Sequence, residues 1–253
     1  MKKKSSRSKP ESRVNLERLT VVLNRPRLPE NIGAAARAAC NMGISRLILV
    51  QPEKLDKDRM ERMATPTAAH LLARMQVYDD LAEALGPFQY IVGTTARQGG
   101  ERKDLLSPRE IATRLIDISR ENEVALLFGP ENWGLTNQEL TFCHALVSIP
   151  TAACSSLNLA QAVMVLAHEI FSATSVEPRF EPRWANSWEL ESMYEVLQKT
   201  LLQINYITHQ NPEHWMLNVR HFFARHGLKA REVQVIKGIC RQIDWYVRRR
   251  FEG

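Results

Sequence analysis

The five residues Val124 to Phe128, V-A-L-L-F, form an unbroken apolar run closed by Gly129-Pro130, and no other stretch constrains the chain as much. A short run without polar alternation suits a strand buried on both faces, which means a parallel strand with helices above and below it. In such sheets a ligand sits outside the carboxyl ends of the strands, so the chemistry belongs just after Phe128. There Gly129 lets a ligand approach the backbone, Pro130 stiffens the turn, and Glu131 and Asn132 supply polar groups. The pattern is not that of a phosphate loop. Trp133, in the same stretch, is expected to pack in the core rather than offer its ring as a stacking platform.

Two further strand ends have the same character. Ala145 to Ile149 reads as a buried strand ended by Pro150-Thr151, after which Ser156-Leu157-Asn158 leads into an apolar helix from Leu159 to Phe171, with Asn158 suited to cap it. Tyr90 to Gly93 reads as a strand that opens into Thr94-Thr95-Ala96-Arg97, and Gln98 to Leu106, with Gly99-Gly100, reads as a loop. Upstream, the strand Leu19 to Leu23, an alanine-rich helix N-capped by Asn31 and stopped at Gly43, and the strand Arg46 to Val50 make a βαβ unit. Asp79 or Asp80 caps a short helix to Leu85, and Ser107-Pro108-Arg109-Glu110 is a capping box that opens a helix towards Ser119. Gln51 to Met75 has no clean period, because Pro52 and Pro66 interrupt it. The sum is an α/β fold with a parallel sheet of at least five strands, near residues 20, 47, 91, 126 and 147.

The chain has 253 residues, 44% of them apolar, enough for one α/β domain and a smaller appendage. We divide it into a basic flexible arm (1–16), the α/β domain (17–175), a proline-containing linker (176–186) and a helical C-terminal domain (187–253). In the last part Ser187 is expected to cap a helix to about Tyr206, Asn211-Pro212 to start a second that Gly227 ends, and Val233, Ile236, Cys240, Ile243 and Val247 to form the apolar stripe of a third. Charge concentrates at the ends. Residues 1–13 carry a net +5 and residues 217–253 a net +6 in a chain of +6, leaving the middle weakly acidic. Two basic ends flanking an acidic domain suit a long polyanion, with Arg220, Arg225, Lys229, Arg231, Arg241 and Arg248 to Arg250 available for phosphate. Cys40, Cys143, Cys154 and Cys240 form no C-x-x-C pair, which argues against a zinc site or a disulfide framework and for reduced thiols in a cytoplasmic protein. Cys154 is expected to be a structural thiol and His168 a packed one of the apolar helix. Neither a signal peptide nor a membrane span is expected.

Four blocks in order, Asn31-Ile-Gly-Ala-Ala-Ala-Arg37, Gly93-Thr-Thr-Ala-Arg97, Phe128-Gly-Pro-Glu-Asn-Trp-Gly-Leu135 and Ser156-Leu-Asn-Leu-Ala-Gln-Ala162, resemble the TrmH/TrmJ group of SPOUT RNA ribose methyltransferases. The likeness spans roughly residues 19–174, and the C-terminal part is similar to the TrmJ branch. Glu30 departs from it, standing where many relatives have glycine. The resemblance implies a SPOUT-type parallel sheet with helices on both faces and a C-terminal trefoil knot, plus a small all-α C-terminal domain, in an obligate homodimer. It also implies S-adenosyl-L-methionine as cofactor, held mainly by backbone groups at Thr94, Thr95, Ala96, Gly129, Ile149, Ser155, Ser156 and Leu157. By the same resemblance Arg37 lies near the acceptor ribose, with Asn31, Glu131, Ser156 and Asn158 around it. The implied reaction is 2'-O-ribose methylation of tRNA, at a pyrimidine of position 32 in the anticodon loop. Ribosomal RNA is the alternative substrate, and a catalytically silent RNA-binding protein of the same fold the alternative from another class. An arginine is a poor base, so Arg37 is assigned to orienting phosphate and stabilising charge on the attacking oxygen, and the proton acceptor stays open.

Overall fold

The computed structural model describes residues 12–96, 105–152, 157–175, 182–208 and 210–251. Its first half runs β1 (Ser12–Arg13), β2 (Leu19–Asn24), α1 (Pro29–Asn41), β3 (Leu47–Val50), α2 (Lys57–Arg74), β4 (Gln76–Tyr78), α3 (Leu81–Leu85) and β5 (Tyr90–Thr94). There follow β6 (Leu105–Leu106), α4 (Pro108–Ile118), β7 (Val124–Phe128), α5 (Asn137–Leu140), β8 (Ala145–Val147), α6 (Leu159–Ser172) and β9 (Thr174–Ser175). Three helices end the chain: α7 (Ser187–Gln203), α8 (Pro212–His226) and α9 (Ala230–Phe251).

Seven strands form one sheet in the order β4-β3-β2-β7-β5-β8-β6, and every neighbouring pair is parallel. The five strands expected from apolar runs are all present. The two additions, β4 and β6, are edge strands too short to make such a run. The last of the five stops at Val147 rather than Ile149, and the next residue, Ser148, donates its N–H to the Leu106 carbonyl at 3.0 Å. Residues 12–13, within the span assigned to the arm, pair antiparallel with Thr174–Ser175.

Strand residues alternate between two cores, one on each face of the sheet. Leu19, Val21, Leu23, Leu126 and Phe128 face α1, α2, α4 and α6, whereas Val22, Ile48, Ala125, Leu127 and Leu146 face α3, Phe88 and Leu140 of α5. The small residues of α1 permit its close contact with α2. A Cβ on Gly33 would stand 2.0 Å from the Met60 carbonyl oxygen, so Gly33→Ala forces the two helices apart. Despite alanine's better helix propensity, overpacking should cost about 2–3 kcal/mol net and lower the melting temperature by roughly 5–10 °C in a thermal unfolding scan.

The segment without a clean period is α2. Thr65, at φ 62°, breaks it immediately before Pro66, so its two halves present apolar residues in different phases. Asn31 is not the N-cap of α1. Pro29 occupies the first turn, where its fixed φ starts the helix three residues earlier, and Leu28 takes the cap position. The expected caps at Asp80, Ser107 and Asn158 are present. Asn186 rather than Ser187 caps α7, accepting from the Glu189 N–H at 2.8 Å, and the helix ends at Gln203.

The three C-terminal helices share a core of Met193, Tyr194, Ile207, Met216 and Val233, to which the stripe of α9 contributes Val233 and Ile236, and Cys240 of the same stripe is also buried. Of the stretch assigned to the linker, 176–181 lies outside the described residues. Trp184, within the described part of that stretch, donates its backbone N–H to Asn122 Oδ1 at 2.8 Å and packs edge-on against Tyr90, with Lys229 Nζ 3.6 Å from its ring centre. Arg220 is likewise engaged: it forms an ion pair with Glu191 and covers the Tyr194 ring, whose burial pushes the phenol up to about 12. Arg220 and Lys229 are therefore already committed inside the protein, whereas Arg231, Arg241, Arg248 and Arg249 are exposed. The side chains of Arg225 and Arg250 lie outside the described set. His168 is exposed on α6, not packed. No described helix is long and apolar enough to cross a membrane.

Candidate active site

The direction in which successive strands are added reverses between β2 and β7, although all strands run parallel. From β2 the chain winds one way through β3 and β4, and β5 to β8 lie on the other side. Crevices in such sheets open beyond the carboxyl ends of the strands near that point, and here one is lined by the segments after β5, β7 and β8 together with the start of α6. The result is a cavity of about 390 Å³, within the range of small-molecule sites. Its floor is apolar: Phe128, Val147 and Leu159 are each at most 5% exposed.

Thr94, Thr95, Ala96, Gly129, Ile149 and Leu157 all line this cavity, as does Glu131. Ser155, Ser156 and Cys154 lie outside the described residues. The threonines serve the scaffold as well: the Thr94 hydroxyl donates to the Leu127 carbonyl at 3.2 Å and the Thr95 N–H to the Val147 carbonyl at 2.9 Å. Gly93 has a packing reason to lack a side chain, since its Cβ would meet Cys143 Sγ at 2.4 Å. Gly129 is required by the turn that follows it. The Gly134 N–H donates to the Pro130 carbonyl at 2.9 Å, Gly134 itself has φ 68°, and a Cβ on Gly129 would stand 2.4 Å from both Gly134 C and Leu135 N.

Beside the cavity runs a chain of three polar side chains. The Asn158 amide donates to Asn31 Oδ1 at 2.8 Å, the Asn31 amide donates to Glu131 Oε1 at 2.7 Å, and Glu131 Oε2 accepts the Arg27 backbone N–H at 3.1 Å. The carboxylate end fixes the rest. Because Glu131 can only accept when ionised, Asn31 must turn its NH2 towards it and its oxygen towards Asn158, which leaves Asn158 Oδ1 free to accept from the Ala160 N–H at 2.9 Å and cap α6. Starting α1 at Pro29 is what frees the Asn31 side chain for this, since a capping asparagine would be spent on its own helix.

A second clamp had only a local sign in the sequence. Glu139 closes the capping box Thr136-x-x-Glu139 of α5, and it also accepts from Asn24 Nδ2 at 2.8 Å and pairs with Arg25. Arg25 is at φ 52°, and the pairing holds the loop after β2 against the loop after β7. Glu30 pairs with Arg59 of α2, and its own backbone N–H and that arginine hold its carboxyl below the usual range.

One expected residue is placed otherwise. Trp133 is 48% exposed at the rim of the cavity rather than buried in the core, because the turn from Pro130 to Gly134 carries it outward. Arg37 is exposed and does not line the cavity. It follows Asn31 by six helical residues, so it sits about 240° around α1 and roughly 9 Å along it.

Residues 18–168 match the model of the SpoU rRNA Methylase family, well over half of the chain. The chain belongs to the SpoU methylase family. Residues 188–252 of this SpoU methylase also match the TrmJ C-terminal domain of tRNA methyltransferases. A Pseudomonas aeruginosa protein named tRNA (cytidine/uridine/adenosine-2'-O-)-methyltransferase TrmJ is 38% identical over 241 residues, covering 88% of this chain and 93% of that one. A Yersinia pestis protein named tRNA (cytidine/uridine-2'-O-)-methyltransferase TrmJ is 33% identical, with 90% and 92% covered. Among solved structures, TrmJ from Z. mobilis ZM4 superposes on this SpoU methylase with a TM-score of 0.75 at 28% identity, covering 89% of this chain and 98% of that one.

Proposed function

We propose that this protein transfers a methyl group from S-adenosyl-L-methionine to a ribose 2'-hydroxyl of tRNA, at a pyrimidine of position 32, and does so as a homodimer in the cytoplasm. The observation that carries the reading is the cavity beyond the carboxyl ends of β5, β7 and β8 with the Glu131-Asn31-Asn158 chain along its side. The family membership and the tRNA substrates named for TrmJ relatives covering about 90% of the chain favour tRNA over rRNA. The division into an arm, an α/β domain, a linker and a helical C-terminal domain belongs to the same reading. So does a trefoil knot, which the strand order β2-β7-β5-β8 accommodates.

The residues fit the cofactor. An apolar floor suits an adenine ring, and the loop ends at Thr94 to Ala96, Gly129, Ile149 and Leu157 bring backbone groups around it. When bound, S-adenosyl-L-methionine supplies an electrophilic methyl group on a sulfonium. The chain's own residues then have to hold the acceptor and deal with its proton. A ribose hydroxyl is a weak nucleophile until its proton leaves, to a positioned base or to a phosphate. Glu131 has each oxygen already accepting one hydrogen bond, which fixes its carboxylate towards the cavity as a hydroxyl acceptor, with Asn31 and Asn158 setting its orientation. Ser156 adjoins this group in sequence. Arg37 supplies the cation that orients phosphate and steadies charge on the attacking oxygen.

Because Arg37 is exposed and does not line its own cavity, we infer that it serves the cavity of a second copy, which is the argument for a dimer. Asn158→Ala should cost about 1 kcal/mol through the lost cap. Asn158→Asp should keep the cap yet fail to donate to Asn31, so thermal unfolding recovers while methyl transfer stays low; full activity of the aspartate variant would remove the polar chain from the mechanism. The overall reading is tested by incubating the protein with labelled cofactor and either unmodified tRNA or rRNA, then digesting with alkali, which spares linkages next to a 2'-O-methyl. Label in alkali-resistant dinucleotides from tRNA is the expected result; label only in rRNA would replace the substrate.

A further inference from the structure

Trp133 is carried on the same turn as Glu131, two residues further on, and 48% of its surface is open at the rim of the cavity. An indole is a large apolar surface, and the fold had two cores in which to bury it. The turn instead holds it outward. The turn is tied down on both sides: the Glu131 carboxylate accepts from the Asn31 amide at 2.7 Å and the Arg27 N–H at 3.1 Å, and the Gly134 N–H closes the turn on the Pro130 carbonyl at 2.9 Å. The ring therefore stands on a rigid mount at the mouth, above an apolar floor of Phe128, Val147 and Leu159.

The geometry points to a base-stacking platform: we propose that Trp133 stacks on a nucleobase of the RNA substrate, either the base of the acceptor nucleotide or the one beside it. This rests on the reading of the cavity as a ribose methylation site. If a 2'-hydroxyl is held at the Glu131 carboxylate, the base attached to that sugar extends only a few ångströms, about the span from Glu131 to Trp133 two positions along the turn. Single-stranded and loop nucleotides are commonly held by aromatic faces, which tolerate either pyrimidine because each base has a π-face. Trp133 is then a binding residue that presents the acceptor nucleotide, distinct from the polar groups that act on its hydroxyl.

The test compares Trp133→Ala, Trp133→Phe and Trp133→Leu in the full chain. Stacking lost on alanine substitution corresponds to about 5- to 150-fold in RNA affinity. KM for tRNA should rise by roughly tenfold or more in the alanine and leucine variants, with kcat and the calorimetric affinity for S-adenosyl-L-methionine nearly unchanged, and phenylalanine should restore most of the loss. A second readout does not depend on turnover: tRNA should quench a component of the emission of the protein's five tryptophans that Trp133→Phe removes. A KM within twofold of wild type in the alanine variant would overturn the proposal. So would a matching loss of cofactor affinity, which would make Trp133 a lid on the adenine, or a leucine variant as good as phenylalanine, which would make it plain apolar cover. Absence of transfer by the wild-type protein would sink the methylation reading, while Trp133-specific quenching by RNA would still uphold the stacking.

Discussion

Gly129→Val is expected to abolish cofactor binding, weakening it by on the order of 100-fold or more, as a misplacement of about 1 Å in a positioned site does. The reason is the loop's own backbone rather than direct occupation of the cavity. Even a methyl at this position stands 2.4 Å from Gly134 C and Leu135 N, so the turn from Pro130 to Gly134 has to shift, and with it the cavity wall and the mount of Glu131. The two branches of valine leave no rotamer that avoids the contact. Calorimetry with S-adenosyl-L-methionine reads the effect, and a thermal unfolding scan alongside separates a displaced turn, costing about 1–3 kcal/mol, from a protein that has not folded. Unchanged affinity in the folded variant would mean the cofactor lies elsewhere.

Arg37→Ala is expected to lower kcat by on the order of 10²–10³, the cost of removing one charge-stabilising group, while leaving cofactor affinity and stability near wild type. The stability part follows from the exposure of Arg37 on α1, where alanine is a favourable helix residue. Its position away from the cavity makes a stronger test available. Arg37→Ala and Gly129→Val subunits, each inactive alone, should regain activity when mixed into a heterodimer, because the intact cavity of one copy is then served by the Arg37 of the other. If Arg37 acted within its own chain, no mixture would recover. Near-normal turnover of the single Arg37→Ala variant would take the residue out of the mechanism altogether.

The central strands β2, β3, β5, β7 and β8 were legible because a strand buried on both faces has to be an apolar run, and the cavity follows from where those runs end. Edge strands β4 and β6 were not, since a strand of two or three residues has no pattern to show. Helix α2 was hidden by its break at Thr65, which puts two amphipathic halves out of phase. Six of the eight residues assigned to the cofactor on resemblance line one cavity, and Glu131, Asn31 and Asn158 are joined by hydrogen bonds. The misassignments have local causes. Asparagine before an alanine-rich helix favours a cap reading, and Pro29 overrode it; an aromatic residue near a buried strand favours the core, and the turn closed by Gly134 overrode that. The tie from Glu139 to Asn24 and Arg25 joins residues more than a hundred apart in the chain, and the sequence showed only its capping box.

The most direct measurement of the central claim is methyl transfer from labelled S-adenosyl-L-methionine into total tRNA from a strain lacking this protein, with mass-spectrometric mapping of the modified nucleoside. The account predicts a 2'-O-methylated pyrimidine at position 32 and no base methylation. Label on a base, or no incorporation into tRNA, would contradict it.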